Sequence, residues 1–590
     1  MRPILEKELL KLPPDLVVLK FGGSVLRDAD AVHLAAHEVY RSIRRGEKVI
    51  AVVSALAGET DALMALAQDT GGSADVPGCA ELLRLGEMRT AALLALALGR
   101  AGVDARALDP AQIGLRAGGP AGDAALVDLD KAALADLLEA HDVLVVPGFS
   151  GVLDDGRAAV LGRGGSDMSA VFLADALGAK DLRLIKDVDG LYAADPKGDG
   201  VPRRFGALNW QDAAVMCGPS IQRRALDHAR DRGLHMQIAA PARRHATSIG
   251  PGQASRYASL QTRRLKVALL GFGTVGEGVY AHVQRHGDLF EVCGILVQDA
   301  AKARGPQAPR HLISDDPAQV LGTRPDIIVE MIGGVDAAQA FILNAFFGGA
   351  DVVSANKAVL ASRFCLLHKA ARQAGRSLRY SAAVGGGVPM LEALDQARKT
   401  QEIVSVQGVI NGTANFILGR LAQGCTFEAA VAGAQQCGFA EADPSADLDG
   451  LDAAAKLVLM ARHGFGATLR QSSITCESLR DLDPARLAAA RQQGRVIRQV
   501  SEISRNGQGK VRASVSLQAL PSGHYLAAAK GEHNRLVITL KNGQTLVLRG
   551  KGAGRWPTAE AVMADLLDIH RLRGQYESRA STGMPEPVCA

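Results

Sequence analysis

The sequence predicts an α/β fold in which parallel sheets are covered by helices, and three observations predict it. Short apolar runs alternate with longer helical stretches through both halves of the chain, the pattern of repeated strand–helix–strand units. Two of these runs break into glycine-rich turns directly before a helix, at Lys20-Phe21-Gly22-Gly23-Ser24 and at Gly271-Phe272-Gly273-Thr274-Val275-Gly276. The stretch 438–456, GFAEADPSADLDGLDAAAK, sets Glu441 on a loop and Asp452 and Lys456 four apart on one helical face. Asp447 or Asp449 would cap that helix, which covers residues 451–461. A carboxylate that holds an amine, beside an ammonium that can give up a proton, suits a small polar substrate.

Composition bounds the class. At about 150 residues per domain the 590-residue chain allows roughly four domains or lobes. Hydrophobic residues at 47% and charged residues at 22% fit a soluble globular enzyme. The net charge of +5 is spread along the chain and aromatics are only 4%, so there is no basic stripe with stacking residues and no case for nucleic acid. The eight cysteines form no CxxC, and a chain of this size needs no disulfide staples, which points to a reducing cytoplasm. The start, MRPILEKELLKLPPD, lacks the apolar core of a secretion signal, and no run approaches the ~18 apolar residues of a membrane span.

In the first half, residues 16–19 form a strand ending in Lys20 and Gly22-Gly23, whose backbone N–H groups and neighbouring cation can hold an anion. GxxxxGK[ST] occurs nowhere, so this is not a Walker loop. Strands follow at 49–53, 143–146 and 182–185, with ELLRLGEMR (81–89) on a helix and LGRGGSDMSA (161–170) at a glycine-rich helix start. KDVDGLYAADPK follows the last strand. Together these strings resemble the aspartokinase catalytic domain of the amino-acid-kinase fold, a parallel sheet sandwiched between helices, over residues 15–250. The resemblance implies transfer of the γ-phosphoryl of ATP, as its magnesium complex, to the side-chain carboxylate of aspartate, chemistry that rests on positioning and charge neutralisation. It implies that Lys20 contacts the transferring phosphate while Gly22 and Gly23 cradle it. Thr60, Glu87 and Arg163 would bind aspartate, and Asp167 would organise the reacting groups. Asp187, Tyr192 and Lys197 would line the nucleotide pocket. The chain departs from the family at Lys186, where threonine is usual, and in CGPSIQRRAL (217–226), where Ser220 and Gln222-Arg223 replace a lysine and His-Pro.

Pro, Gly, Ser and basic residues mark 251–264 as a linker. A strand beginning at Lys266 then runs into GFGTVGEG, which is GxGxxG in the strand–turn–helix setting of a dinucleotide fingerprint. Gly271, Phe272, Gly273, Thr274, Val275 and Gly276 are therefore cofactor-contact candidates in a Rossmann domain, 265–390. The next strand, 291–297, ends at Gln298-Asp299. An acid there suits the ribose hydroxyls of NAD, whereas Lys302 and Arg304 suit the 2′-phosphate of NADP, and NADP is slightly favoured. A strand at 326–330 leads to MIGG, with Gly333, and a strand at 401–410 leads to NGTANFILGRL. The latter string resembles a segment of the homoserine dehydrogenase family, and the resemblance implies an α+β substrate and dimerisation domain at 391–545. The resemblance also implies that a segment at 546–575 returns to the nucleotide domain with Gly554 near the cofactor; 559–569 reads as a helix and the tail after Arg573 as disordered.

The 438–456 string, SANK (354–357), YSAAVGGGVP (380–389) and NGTANFILGRL closely resemble homoserine dehydrogenase, and the likeness covers nearly all of 265–575. That family reduces aspartate semialdehyde to homoserine with a nicotinamide cofactor. The resemblance implies that Glu441 binds the substrate amine with Gly438 beside it, that Asp452 orients substrate and lysine, and that Lys456 gives the proton. Lys357 would assist near the nicotinamide. Carbonyls of Val384, Gly386 and Val388 would hold a sodium ion, although relatives often carry Glu where Ser381 stands. The substrate-domain sheet would build a homodimer or higher homo-oligomer. Fused kinase–dehydrogenases usually carry paired ACT regulatory domains between their halves, and the linker leaves no room for them.

Two readings compete. In one, the chain is a cytoplasmic two-enzyme fusion whose intervening step another protein supplies. In the other, the dehydrogenase acts alone and the kinase-like half is a structural or ligand-binding module, a reading that Ser220 and Gln222 favour. A different acidic substrate for the kinase half is opposed by Gly86-Glu87 and Arg163.

Overall fold

Runs of Val, Leu and Ile with no polar alternation make strands buried on both faces, as parallel sheets require. Leu16–Phe21 (LVVLKF) and Val143–Pro147 (VLVVP) are such runs, buried throughout. In a computed structural model the described residues are 12–580, apart from 73–76, 163, 195–202, 219–220, 244, 258–262, 303 and 306–307. They form two units, one of residues up to 261 without 101–103, the other of 101–103 and everything from 262.

The first unit is built on a nine-stranded sheet. Leu16–Phe21 lies between Lys48–Val53 and Asp181–Ile185, parallel to both. These three strands end at the same edge, where open α/β sheets bind ligands. The segment expected as a linker supplies an edge strand, Ser255–Tyr257, antiparallel to Arg204–Leu208. Pairing with an open sheet edge overrides its loop-like composition.

The second unit contains a six-stranded parallel sheet in the order Ile313–Ser314, Phe290–Leu296, Leu265–Leu270, Ile327–Glu330, Asp351–Ser354, Leu378–Arg379. Counted along the chain this is 3-2-1-4-5-6, the doubly wound dinucleotide-binding arrangement. Its switch point lies between Leu265–Leu270 and Ile327–Glu330, so the 271–276 turn and the 331–334 loop open side by side. A second six-stranded sheet is antiparallel apart from its Thr475–Cys476 edge, and Ile403–Val409 lies inside it between Arg495–Arg505 and His533–Leu540.

The helix Leu451–Phe465 joins the two sheets' cores. Ala454, Leu457, Val458 and Met460 pack in one apolar cluster with Leu270, Ile328 and Val352 of the parallel sheet and Val406, Ile503 and Val515 of the antiparallel one. The expected carboxylate cap of this helix is not made. Gly450 is the N-cap, with a left-handed φ of 74° and no side-chain cap. Asp447 instead accepts from Asn411 (2.6 Å) and Asp449 from Ser478 (2.6 Å). The two carboxylates are drawn to tertiary partners, and a glycine takes the conformation that other residues resist.

The C-terminal helix is longer than expected. Arg555–Ala580 is continuous, so the residues after Arg573 are helical as far as 580. Arg573 holds the helix to the nucleotide-binding sheet through Asp326 (3.0 Å) and Asp351 (2.6 Å). Each residue added to an anchored helix gains a hydrogen bond without a new nucleation cost. Among the described residues no helix is long and apolar enough to cross a membrane, and the described cysteines are free.

Candidate active sites

In the second unit, two distant segments converge on Asp452 and its helix neighbour Lys456. The Lys357 ammonium lies 2.9 Å from Asp452 Oδ1, and the Lys456 ammonium lies 2.9 Å from Oδ2. The helix repeat stacks Asp452 and Lys456, which alone would be an ordinary surface pair. Here both are buried, at 9% exposure each. Lys456 also donates to the carbonyl of Ile410 (2.8 Å), at the end of the Ile403–Val409 strand. Asn411 caps the next helix with its Oδ1 and gives its Nδ2 to Asp452 (2.9 Å) and Asp447 (2.6 Å). Asp452 is thus held well below the usual carboxylate range, because the Lys456 and Lys357 ammoniums outweigh its burial. Lys357 is pushed up, chiefly by Asp452, with Asp447 and Glu441 adding to the effect. Glu441 and Gly438 are exposed, on the loop leading to these groups. Glu441 acts on Lys357 through its field.

The 271–276 turn forms a cradle for a dinucleotide. Gly271 has φ 101°, and a Cβ there would meet the Met331 carbonyl at 2.8 Å. A Cβ on Gly276 would sit 2.4 Å from the Gly271 carbonyl, so the helix Thr274–Arg285 can start against the turn only with glycine there. Beside Gly273 and Gly333 there is open space within 4 Å of the Cβ position. The helix N-terminus and the free backbone of the turn fit a pyrophosphate. Phe272 is buried beneath the turn, and Thr274 and Val275 begin the helix. Gly554, with φ 113°, introduces the Arg555–Ala580 helix, and Arg555 pairs with Glu277 (2.8 Å) of the cofactor helix.

Sequence reasoning missed the group that shapes the floor of this site. Glu330, fully buried at its strand end, accepts from Ser354 (2.6 Å), Ile332 N–H (3.0 Å) and Asn356 (3.2 Å). Asn356 caps the helix that begins with Lys357 and also donates to the Gly334 carbonyl (2.7 Å). Glu330 therefore fixes both the 331–334 loop and the start of the Lys357 helix. Its signal was an acid closing an apolar run, IIVE. At the ribose end, Asp299 is exposed and accepts from Ala301 N–H (2.8 Å). Arg304 curls back to donate to the carbonyls of Asp299 (2.8 Å) and Lys302 (2.9 Å).

In the first unit, Lys20 lies 2.7 Å from Asp167, the third residue of the helix Gly165–Leu177. Lys20 folds over the glycine turn, since a Cβ on Gly22 would lie 3.1 Å from its ammonium. Lys186, following the strand Asp181–Ile185, lies 3.2 Å from both Asp167 oxygens. Glu87, on the helix Pro77–Ala101, is 2% exposed and accepts from Ala55 N–H (3.2 Å). Its other oxygen, Oε2, has no hydrogen-bond partner among the described residues. Burial pushes the Glu87 carboxyl up to about 7. Thr60 is the second residue of the helix Glu59–Asp69 and is partly buried. Asp187 follows Lys186 in an exposed loop, and Tyr192 donates to Asp189. Arg163, Lys197 and Ser220 lie outside the described residues.

A doubly wound sheet with a glycine cradle, opening beside two lysines on a buried aspartate, defines an NAD(P)-dependent oxidoreductase. Residues 389–567 match the family described as homoserine dehydrogenase, and 271–381 match its NAD-binding domain. The homoserine dehydrogenase of Synechocystis is 36% identical over 318 residues, covering 52% of this chain and 73% of the relative. That of Corynebacterium glutamicum is 35% identical, covering 55% and 75%. The crystal structure of a homoserine dehydrogenase from Thiobacillus denitrificans aligns with TM-score 0.50 at 30% identity, over 54% of this chain and 75% of that one. The chain belongs to the homoserine dehydrogenase family. Residues 15–247 match the amino acid kinase family, so the whole has the architecture of a bifunctional aspartokinase/homoserine dehydrogenase.

Proposed function

We propose that the second unit reduces aspartate semialdehyde to homoserine, and that the observation carrying this is the buried Lys357–Asp452–Lys456 cluster. Asp452 holds both ammoniums in place, 2.9 Å from each. Lys456 spends one N–H on Asp452 and one on Ile410 O, which leaves one for the substrate oxygen. As that oxygen gains charge, the Lys456 proton passes to it and general-acid catalysis lowers the barrier. Glu441 supplies a carboxylate for the substrate amine at the exposed mouth. Bound in the 271–276 cradle, a reduced nicotinamide supplies the hydride. Lys302 and the tethered Arg304 favour a 2′-phosphate, hence NADP. A second assignment, with Lys357 as the proton donor, is supported by its greater side-chain exposure, 42% against 11% for Lys456.

The experiment follows NADPH oxidation with aspartate semialdehyde. Lys456→Ala is expected to lower kcat by about 10²–10⁴ with the melting curve unchanged, and Lys357→Ala mainly to raise KM. A large kcat loss only in Lys357→Ala transfers the donor role to Lys357. Near-normal kcat in both variants removes the cluster from the mechanism.

We propose that the first unit phosphorylates the side-chain carboxylate of aspartate with ATP-Mg. The Lys20–Asp167 pair beside the glycine turn suits a transferring phosphoryl, and the unpaired oxygen of buried Glu87 suits the ammonium of the acceptor. Hydroxylamine trapping of an aspartate-dependent acyl phosphate tests this, with Lys20→Ala as the inactive control.

A monovalent cation fits the 384–388 loop in part. Among the described residues the Val384 and Gly386 carbonyls accept no backbone hydrogen bond, whereas Val388 O accepts from Met390 N–H (2.8 Å). Ser381 joins the carboxylates of Glu392 and Asp565 close by in sequence to that loop. A homo-oligomer built on the substrate-domain sheet completes the proposal, and light scattering of the purified chain tests it.

A further inference from the structure

The kinase centre contains one more cation than its own carboxylate requires. Lys20, Asp167 and Lys186 are 5%, 4% and 9% exposed. One carboxylate faces two ammoniums, at 2.7 Å from Lys20 and 3.2 Å from Lys186. Among the described residues no second carboxylate forms an ion pair with either lysine. Lys20 alone would neutralise Asp167, so the buried trio carries a net positive charge. Burying an unmatched ammonium costs several kcal/mol, a cost that a structural lysine on the surface would avoid. Lys186 is also fixed in place, because its backbone N–H donates to the Ala239 carbonyl (2.8 Å) of the neighbouring parallel strand. Strand ends thus deliver both ammoniums to the edge where the glycine turn opens.

We propose that Lys186 is a second catalytic cation of this phosphoryl-transfer centre, binding the transferred phosphoryl beside Lys20 while Asp167 holds the two ammoniums in place. The inference rests on the kinase reading above. In the reaction, an aspartate carboxylate oxygen attacks the γ-phosphorus and forms the new P–O bond. The bond from that phosphorus to the bridging β–γ oxygen breaks, and ADP leaves with the electron pair. No proton need move, and the total charge is conserved. Negative charge grows on the leaving oxygen and spreads over the phosphoryl group, where fixed cations in a dry site act most strongly. Burial and the neighbouring Lys20 charge bring Lys186 down to about 8, so an arriving anion relieves a penalty already present.

The test compares Lys186→Met and Lys186→Arg with wild type in the hydroxylamine assay, with dehydrogenase activity and the melting curve as fold controls. Lys186→Met is expected to lose about 10²–10³-fold in kcat, the scale of one lost electrostatic contact. Lys186→Arg is expected to recover at least tenfold of that loss, which a merely space-filling role would not produce. Lys186→Met within threefold of wild type overturns the proposal and leaves the kinase reading standing. A faster Lys186→Met also overturns it, because Lys186 would then be restraining Asp167. If the Met variant unfolds, Lys186→Arg decides: activity within about tenfold of wild type supports the cation role, and a folded but inactive Arg variant overturns it. A wild-type chain with no aspartate-dependent acyl phosphate overturns the kinase reading and this inference together.

Discussion

At the residue scale, function follows from how each charge is surrounded. Asp452 stays ionised because two ammoniums offset its burial. Glu87 forms no ion pair among the described residues, and burial pushes its carboxyl up to about 7. An aspartate ammonium is bound best by the ionised form. The KM for aspartate is therefore expected to rise as pH falls below about 7, while Glu87→Gln flattens that dependence and raises KM throughout. Initial rates across a pH series check this, and an unchanged profile in Glu87→Gln removes Glu87 from the site. The linkage to stability runs the other way. The folded-state value lies above the ordinary glutamate value of 4.5, so the unfolded chain releases this proton first. Glu87's contribution to stability is complete below about 4.5, is lost as pH rises to about 7, and is constant beyond. Asp452 and Lys456 were readable from their i, i+4 spacing and the string around them. Glu330 was not, since one acid at a strand end carries no sign of the three donors it will meet.

At the element scale, glycines decide where backbone segments touch. The cofactor turn needs Gly276 because its Cβ position lies 2.4 Å from the Gly271 carbonyl. Gly276→Ala is expected to push the helix from the turn, cost about 1–3 kcal/mol of stability and raise KM for the nicotinamide cofactor about tenfold or more, with kinase activity retained. Thermal melts and dehydrogenase kinetics check it; unaltered KM would mean that the cofactor lies elsewhere. The turn was legible because GxGxxG between strand and helix has a mechanical meaning. The cap of the Leu451–Phe465 helix was misread for a related reason. Asp447 and Asp449 are good capping residues, but Asn411 and Ser478, far away in sequence, bond them instead. The C-terminal helix also outran its expected end, because Arg573 anchors it to Asp326 and Asp351, a contact that no local pattern announces.

At the scale of the whole molecule, each of the two units carries its own centre, with separate sheets and separate lysine–aspartate clusters. The span between them supplies a strand of the first sheet, Ser255–Tyr257. Threonine and lysine, titrated separately into each assay, are expected to leave both rates unchanged at sub-millimolar concentration. Strong inhibition of either activity in that range would show a regulatory site within the two units. The order of strands and helices, the two glycine turns and the 438–456 string all lie in short stretches of chain, where periodicity and turn chemistry act locally, and so the sequence alone carried the α/β class, the dinucleotide cradle and the family likeness. The meeting of Lys357 and Ile410 with the Lys456 helix, the choice of Gly450 over an aspartate as cap, and the placing of Lys186 on Asp167 were decided only in the tertiary structure. Each joins residues far apart in the chain, and packing, burial and the competition among charged partners settle such pairings once the sheets are assembled.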